Sequence, residues 1–264
     1  MSERQMSAAI VIPAHDEIAN LPHLLDSIRQ NTQSSLARFT VFVVDDASND
    51  DTKEVMRGLM RRPKRTADQL TVKLLNKPQS TGIGGAYIFA FQKILNHGFD
   101  YVLQMDADLQ HDPKYIKDFV RAAGRGVDAV VSSRYTKHHA RSQWKFFRKN
   151  LSRWGNLFIR MFLGSHFTDW TSGYNLYKVS VLRRVDFADM SHDFCFQLEL
   201  KNAVLNLTDK VAEIPIVFHE RRYGVSKMKN SVAVKTCMLV LKLWAGNHKR
   251  LRPGKKSPER NPSS

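Results

Sequence analysis

Short apolar runs alternate with segments of helical periodicity along the first half of the chain, and this alternation restricts the possible folds more than any other feature. Five apolar runs are predicted to be buried strands, at residues 8–13, 39–44, 70–75, 101–105 and 129–132. Helical spacing follows the first run, as in Ile18, Leu21 and Leu25. Because strands that alternate with helices form a parallel sheet covered on both faces, we predict an α/β fold with a mostly parallel sheet flanked by helices.

Acidic residues follow two of the predicted strands. Asp45 and Asp46 come after the second strand. Asp106 and Asp108 come after the fourth, and Gln110 adds an amide oxygen. Ligands of parallel α/β sheets bind beyond the carboxyl ends of the strands, and carboxylate and amide oxygens suit Mg²⁺ or Mn²⁺. Taken alone, an Asp-x-Asp motif is more often an acidic turn that caps a helix, so the rest of the chain decides its meaning.

Three common ligand-binding motifs are excluded by the residues at their key positions. A calcium EF-hand loop that begins at Asp106 would need glycine at His111 and glutamate at Lys117. A dinucleotide fingerprint would need glycines directly after the first strand, and a Walker A motif does not occur. The glycines at 82–85 fit neither pattern; they either bring backbone N–H groups to a phosphate or form a tight turn for close packing.

Two segments of the second half combine basic and apolar residues. Residues 137–160 carry lysines and arginines without an acidic residue, beside an apolar stripe that includes Trp154. Such a segment contacts a membrane surface, packs on the sheet with its basic face in solvent, or binds single-stranded nucleic acid. A final helix at 228–245 either docks on the domain or lies in a bilayer interface, and the basic residues 248–264 are predicted to be a disordered tail.

The formal net charge of +16 favours anionic partners, which include nucleic acid, anionic lipid and phosphorylated ligands. Cys195 and Cys237 stand in no metal-binding or redox spacing, which favours a reducing compartment. The sequence shows no signal-peptide pattern and no run of about 18 apolar residues. We therefore predict a cytoplasmic protein that is soluble or rests on a membrane surface.

The ordered motifs between residues 8 and 228 resemble the family 2 glycosyltransferases of the GT-A fold. The closest likeness is to the dolichol-phosphate mannose synthase branch, which uses polyprenyl phosphate acceptors. The motifs are the Pro-Ala-His-Asp-Glu run at 13–17, Asp-Asp-Ala-Ser at 45–48, Asp-Ala-Asp-Leu-Gln-His at 106–111, Ser-Ser-Arg-Tyr at 132–135, Asp-Trp-Thr-Ser-Gly-Tyr at 169–174 and the Arg-x-x-Gly-x-Ser-Lys loop at 221–227.

The resemblance implies a single GT-A (Rossmann-like) catalytic domain, which we place at 1–228, and the amphipathic helix at 229–247 and the basic tail at 248–264 follow it. It also implies roles for individual residues. Catalysis would depend on Asp106, Asp108, Arg134 and Arg221. The metal, Mg²⁺ or Mn²⁺, would be held by Asp108 and Gln110, and the acceptor phosphate would contact Arg148 and Ser172. The nucleotide-sugar donor would contact Pro13, His15, Glu17, Val44, Asp46, Asp106, Ala107, Arg134, Arg221 and Lys227.

The reaction implied by the resemblance is inverting, metal-dependent transfer of a sugar, foremost mannose from GDP-mannose, to polyprenyl or dolichyl phosphate. UDP-glucose or a UDP-N-acetylhexosamine is the alternative donor. The implied partners are an anionic membrane surface on the cytosolic side and a membrane-embedded partner protein. A nucleic-acid-binding module is the distant alternative, but it leaves the strand-end carboxylates unexplained, because they would repel phosphates in the absence of a metal. No nucleic acid is therefore expected as a partner.

Overall fold

The chain folds around one sheet in a computed structural model that describes residues 5–33, 35, 37–60, 70–135, 146–219 and 231–250, with the side chains of 146–152, 231–232 and 248–250 outside that description. The strands found in these residues are β1 (Ser7–Ala14), β2 (Arg38–Asp46), β3 (Leu70–Lys77), β4 (Tyr101–Gln104), β5 (Ala129–Ser133), β6 (Asn175–Lys178) and β7 (Val211–Pro215). The α-helices found there are α1 (Leu21–Thr32), α2 (Thr52–Met60), α3 (Ile83–Ile94), α4 (Ile116–Ala123), α5 (Phe146–Leu163), α6 (Val179–Leu182), α7 (Phe196–Leu205) and α8 (Ser231–Arg250).

The strands lie in the order β3-β2-β1-β4-β6-β5-β7. β1 is parallel to β2 and β4, β2 is parallel to β3, and β5 is parallel to β7. β6 alone among these strands runs antiparallel, between β4 and β5. This arrangement confirms the predicted mostly parallel sheet.

Successive residues of the central strands are buried on opposite faces of the sheet. Ala8, Ile10 and Ile12 of β1 pack into the cluster that includes α1 and α4. Ala9 and Val11 pack into the cluster that includes α3 and α7. Because side chains alternate along a strand and both faces are covered, the strand is apolar at every position.

A third apolar cluster attaches α5 and α8 to the domain. Ile159 of α5, Leu198 of α7 and Val240 of α8 are buried in it, next to the side chain of Trp170. The C-terminal helix therefore docks on the domain through one face. It extends to Arg250, beyond the predicted end, and the remaining residues of the predicted tail lie outside the described part of the chain. None of the described helices is both long enough and apolar enough to span a membrane.

Candidate active site

Three neighbouring strands lead into turns that contain a residue with a left-handed backbone. Asp16 follows β1, Ala47 follows β2 and Leu109 follows β4, with φ angles of 54°, 54° and 62°. Residues other than glycine rarely adopt a positive φ, and such strained positions concentrate at functional sites. Because β1 lies between β2 and β4, the three turns meet at the carboxyl edge of the sheet.

The turn after β4 holds the two carboxylates of the Asp-x-Asp motif. The Asp106 side chain is 25% exposed, whereas Asp108 is buried. The backbone N–H of Asp106 donates to Nδ1 of His111 at 3.1 Å. Because Nδ1 accepts this bond, the imidazole carries its proton on Nε2, and burial lowers the pKa of His111 to about 4. The neutral ring of His111 therefore fixes the position of Asp106. His111 was predicted only as a member of the motif.

Tyr87 of α3 faces the same carboxylate. Its hydroxyl donates to Oδ1 of Asp106 at 3.4 Å. Burial raises the pKa of Tyr87 well above the ordinary value, and the negative charges of Asp106 and Asp108 add to the effect. The phenol therefore stays protonated and acts only as a hydrogen-bond donor toward this carboxylate.

The oxygen atoms of this turn fit a hard divalent cation. The backbone N–H of Gln110 donates to Oδ1 of Asp108 at 3.1 Å. The side-chain Nε2 of Gln110 donates to the carbonyl of His219 at 3.0 Å. The amide oxygen of Gln110 is therefore the side-chain atom that can bind a metal ion. Among the described residues, no cluster of three or more His, Cys, Asp or Glu side chains could enclose a metal ion. The donor set therefore fits a cation that completes its shell with water or substrate phosphates, as Mg²⁺ commonly does.

Arg134, at the end of β5, forms an ion pair with the fully buried Asp169. Nε donates to Oδ2 at 2.7 Å and Nη2 donates to Oδ1 at 2.9 Å. Burial alone would raise the pKa of Asp169, but the Arg134 guanidinium lowers it below the usual value. Two of the three guanidinium nitrogens thus bind Asp169, which fixes the direction of the cation that was predicted to clamp a phosphate.

A buried lysine that was not predicted as functional supports this ion pair. Lys201 of α7 is fully buried, and Nζ donates to the carbonyls of Asp169, Trp170 and Ser172 at 3.0, 3.1 and 2.8 Å. From the other side, Oε1 of Glu213 accepts the backbone N–H of Asp169 at 3.2 Å. The turn that carries Asp169 is therefore held from α7 and from β7. The available sequence signal was a lysine within an otherwise largely apolar helix.

Asp46, predicted to contact the nucleoside, holds the glycine loop against the end of β2. Its carboxylate accepts hydrogen bonds from the Ser80 hydroxyl at 2.8 Å and from the Gly82 N–H at 3.1 Å. Lys77 lies 3.0 Å from Oδ1. Burial would raise the pKa of Asp46, but these donors lower it. The structure therefore places Asp46 at the predicted edge and gives its carboxylate a role in shaping the loop.

The other residues predicted to contact the nucleotide differ in accessibility. His15 is partly exposed, and its Nδ1 donates to the Asp46 carbonyl at 2.8 Å. Pro13 is also partly exposed, whereas Glu17 is almost buried. Val44 and Ala107 are buried in the apolar clusters on the two faces of the sheet. The side chains of Val44 and Ala107 are therefore not accessible to a nucleotide.

Ser172 lies in the interior and does not support the predicted contact with an acceptor phosphate. It is buried, and its hydroxyl is hydrogen-bonded to that of Ser132. The side chain of Arg148, and the whole of Arg221 and Lys227, lie outside the described residues, so their predicted phosphate contacts stay predictions. The segment just before the predicted phosphate-binding loop at 221–227 lies beside the carboxylate turn, because the backbone N–H of His219 donates to the Gln110 carbonyl at 3.2 Å.

Comparison with known proteins identifies relatives of this chain. Residues 9–190 match Glycosyl transferase family 2. The chain is 33% identical over 252 residues to the undecaprenyl-phosphate mannosyltransferase of Micrococcus luteus, which covers 93% of this chain and 99% of that protein. It is 31% identical over 236 residues to the polyprenol monophosphomannose synthase of Mycolicibacterium smegmatis, which covers 89% of this chain and 85% of that protein.

Solved structures match the fold. The glucosyl-3-phosphoglycerate synthase of Mycobacterium tuberculosis, solved with Mn²⁺, UDP and glucosyl-3-phosphoglycerate, superposes with a TM-score of 0.66 at 17% identity. The match covers 91% of this chain and 80% of that one. A second structure of the same enzyme, with Mn²⁺, UDP-glucose and phosphoglyceric acid, gives a TM-score of 0.68 at 15% identity. At these identities the likeness confirms the architecture of the sheet and its helices.

Proposed function

This chain belongs to glycosyltransferase family 2 and is a glycosyltransferase of the GT-A fold, and from that premise we propose that it transfers mannose from GDP-mannose to a polyprenyl phosphate. Both relatives are named for mannose transfer to a lipid of this class. The observation that carries the proposal is the meeting of the Asp106–Asp108 turn and the fixed cation of Arg134 at one edge of the sheet. That arrangement suits a reaction between two phosphorylated substrates.

The proposed chemistry needs charge control more than proton transfer. A phosphate monoester has its second pKa near ~6, so the acceptor is largely dianionic at neutral pH. An acceptor oxygen attacks the anomeric carbon from the side opposite the diphosphate, and the configuration inverts. The bond from the anomeric carbon to the diphosphate oxygen breaks, and nucleoside diphosphate leaves with the electron pair. The protein must therefore hold two anions in line and stabilise the charge of the leaving group.

The residues divide these tasks. Asp108 and Gln110 would hold Mg²⁺ or Mn²⁺, which when bound supplies positive charge to the leaving diphosphate. Arg134 supplies a second positive charge in a direction set by Asp169. Arg221 and Lys227 are proposed to bind the donor phosphates, and Arg148 the acceptor phosphate.

The direct test is a transfer assay with purified protein, Mg²⁺ or Mn²⁺, a short polyprenyl phosphate and a panel of labelled GDP- and UDP-sugars, each with an EDTA control. Metal-dependent transfer from GDP-mannose to the lipid is the expected result. Transfer from UDP-glucose or a UDP-N-acetylhexosamine alone would correct the donor and keep the reaction class. A folded protein that transfers no sugar, in the purified assay and in native membranes, would overturn the proposal.

Arg221→Ala should lower kcat/KM for transfer by more than tenfold. A hydrogen bond to a charged group contributes about 1.5–3 kcal/mol, and each 1.36 kcal/mol corresponds to a factor of ten in rate. The same assay with saturating lipid measures the loss. Arg184→Ala, which removes an exposed arginine away from the carboxylate turn, is the matched control. An unchanged kcat/KM for Arg221→Ala would refute the phosphate contact.

The outer face of α5 and α8 is proposed to rest on the cytosolic membrane surface, where the lipid acceptor resides. Trp154 and Met161 of α5 are each 70% exposed, and Met238 of α8 is 60% exposed. Exposed basic residues, including Arg153 and Lys242, lie on the same two helices. An exposed apolar face bordered by cations fits an anionic bilayer surface. A membrane-embedded partner protein is the alternative occupant.

A double substitution, Trp154→Ser with Met161→Ser, should weaken binding to phosphatidylserine vesicles by about tenfold or more, because burying one large apolar side chain contributes about 1.5–3 kcal/mol. Co-sedimentation measures the effect, and Met60→Ser on α2 removes a comparable exposed methionine as the control. Deletion of 229–264 is also expected to weaken binding, but it removes Val240 from a buried cluster and so disturbs the fold. Unchanged sedimentation of the double variant would exclude this face as the contact.

A further inference from the structure

Three buried side-chain amides form a network close to the carboxylate turn. Nδ2 of Asn175 donates to the Ser172 carbonyl at 2.9 Å. The same nitrogen lies 3.4 Å from Oε1 of Gln104 and 3.4 Å from Oε1 of Gln197. Because a carbonyl only accepts, the bond to Ser172 fixes which atom of Asn175 is the nitrogen. Oε1 of Gln197 faces this nitrogen, which places Nε2 of Gln197 on the other side of its amide group.

Nε2 of Gln197 has no hydrogen-bond acceptor among the described residues, and Nε2 of Gln104 and Oδ1 of Asn175 in the same network also lack a partner there. Gln197 is only 5% exposed, so bulk water does not satisfy it. A buried donor left without an acceptor costs about 1–3 kcal/mol, and native proteins leave few such groups. What distinguishes Nε2 of Gln197 within this network is the space beside it.

The space on that side of Gln197 adjoins the catalytic carboxylate. A Cβ atom added to Gly173 would lie 3.6 Å from Nε2 of Gln197 and 3.5 Å from each carboxylate oxygen of Asp106. The missing side chain of Gly173 thus leaves a small space that the amide and the carboxylate both border. One wall donates hydrogen bonds and the other accepts them.

We propose that Gln197 binds one hydroxyl group of the donor sugar and, together with Asp106, determines which hexose is accepted. A hydroxyl group suits both walls, because its hydrogen is donated to Asp106 while its oxygen accepts from Nε2 of Gln197. A phosphate oxygen would be repelled by Asp106, and an apolar group would leave the amide unsatisfied. The assignment rests on the proposed function, since it takes the ligand to be a nucleotide sugar.

The test combines variants of Gln197 with donors that lack single hydroxyl groups. Gln197→Met keeps a similar length and removes the donor, and Gln197→Glu keeps an acceptor for Asn175. Wild-type protein is compared with both variants on GDP-mannose and its 2-, 3-, 4- and 6-deoxy forms. One deoxy donor should lose at least about tenfold in kcat/KM with wild type, because a buried group is left unpaired. The same donor should lose about threefold or less with the variants, in which the partner is already absent.

Asn202→Leu serves as the control, because Asn202 is another buried amide of α7. Its oxygen accepts a hydrogen bond from Asn247 at 2.9 Å. This variant should keep the wild-type pattern across the donors. If the Gln197 variants lower kcat/KM for all five donors by one common factor, the assignment is overturned and the amide only supports the turn.

Calorimetric Kd values for the same nucleotide sugars give the pattern without turnover. Selective donor binding without lipid transfer would therefore overturn the proposed function alone, and absence of binding would overturn both.

Discussion

Replacement of Asp108 by alanine should abolish metal-dependent sugar transfer, with a loss of at least about a thousandfold in kcat. A bound cation contributes several kcal/mol to the stabilisation of a leaving diphosphate, and each 1.36 kcal/mol corresponds to a factor of ten. Asp108 is the buried carboxylate of the turn, and Gln110 alone offers a neutral oxygen. The protein should stay folded, because the carboxylate accepts the Gln110 N–H within its own turn and lies outside the apolar clusters.

Three measurements check this result together: the transfer rate with Mn²⁺, the affinity for Mn²⁺ by calorimetry and the thermal unfolding midpoint. Asp118→Ala is the matched control, because it removes a carboxylate that pairs with Arg121 on the exposed side of α4. The control should retain both transfer and metal binding. Near-normal transfer by Asp108→Ala would contradict the assignment of this residue as a metal ligand.

The sequence was sufficient to predict most strands of the sheet and the edge that holds the candidate site. Both faces of the sheet are buried, so β1, β2 and β4 appear as continuous apolar runs that can be read without tertiary information. The acidic residues directly after β2 and β4 then indicate the candidate functional edge, because parallel strands end on the same side. β6 was not predicted as a strand of the sheet, because four residues are too few to define a period and its pairing with β4 and β5 is set by tertiary contacts.

Side-chain partners within the site were harder to predict, because they come from distant parts of the chain. Ser172 was predicted to contact the acceptor phosphate, but Lys201 donates to its carbonyl and its hydroxyl is hydrogen-bonded to that of Ser132. Arg134 was predicted to clamp a phosphate, and its ion pair with Asp169 could not be read from the sequence. The amide of Gln197 had no sequence signal at all, since its orientation depends on a network with two strands.

Lys201→Met should cause the largest loss of stability among these variants, about 3 kcal/mol or more in the free energy of unfolding. The substitution leaves the carbonyls of Asp169, Trp170 and Ser172 buried without the Lys201 amino group that donates to them. A buried carbonyl left without a donor costs about 1–3 kcal/mol, and three carbonyls lose theirs together. For a domain of this size the unfolding midpoint should fall by roughly 6–12 °C. Transfer should also slow, because the turn that orients Arg134 loses its support.

The pH dependence of this stability loss distinguishes an effect of the Lys201 amino group from a general packing defect. Burial lowers the pKa of Lys201 to about 7, below its ordinary value of 10.5. Between these pH values the unfolded chain binds more protons than the folded one, so this residue makes the wild type more stable as pH rises. Lys201→Met lacks that contribution, so the stability difference should widen from pH 7 to pH 9 in urea unfolding. The exposed Lys117→Met control should track the wild type. A variant as stable as the wild type would show that the turn does not depend on the Lys201 amino group, and a difference independent of pH would contradict the lowered pKa.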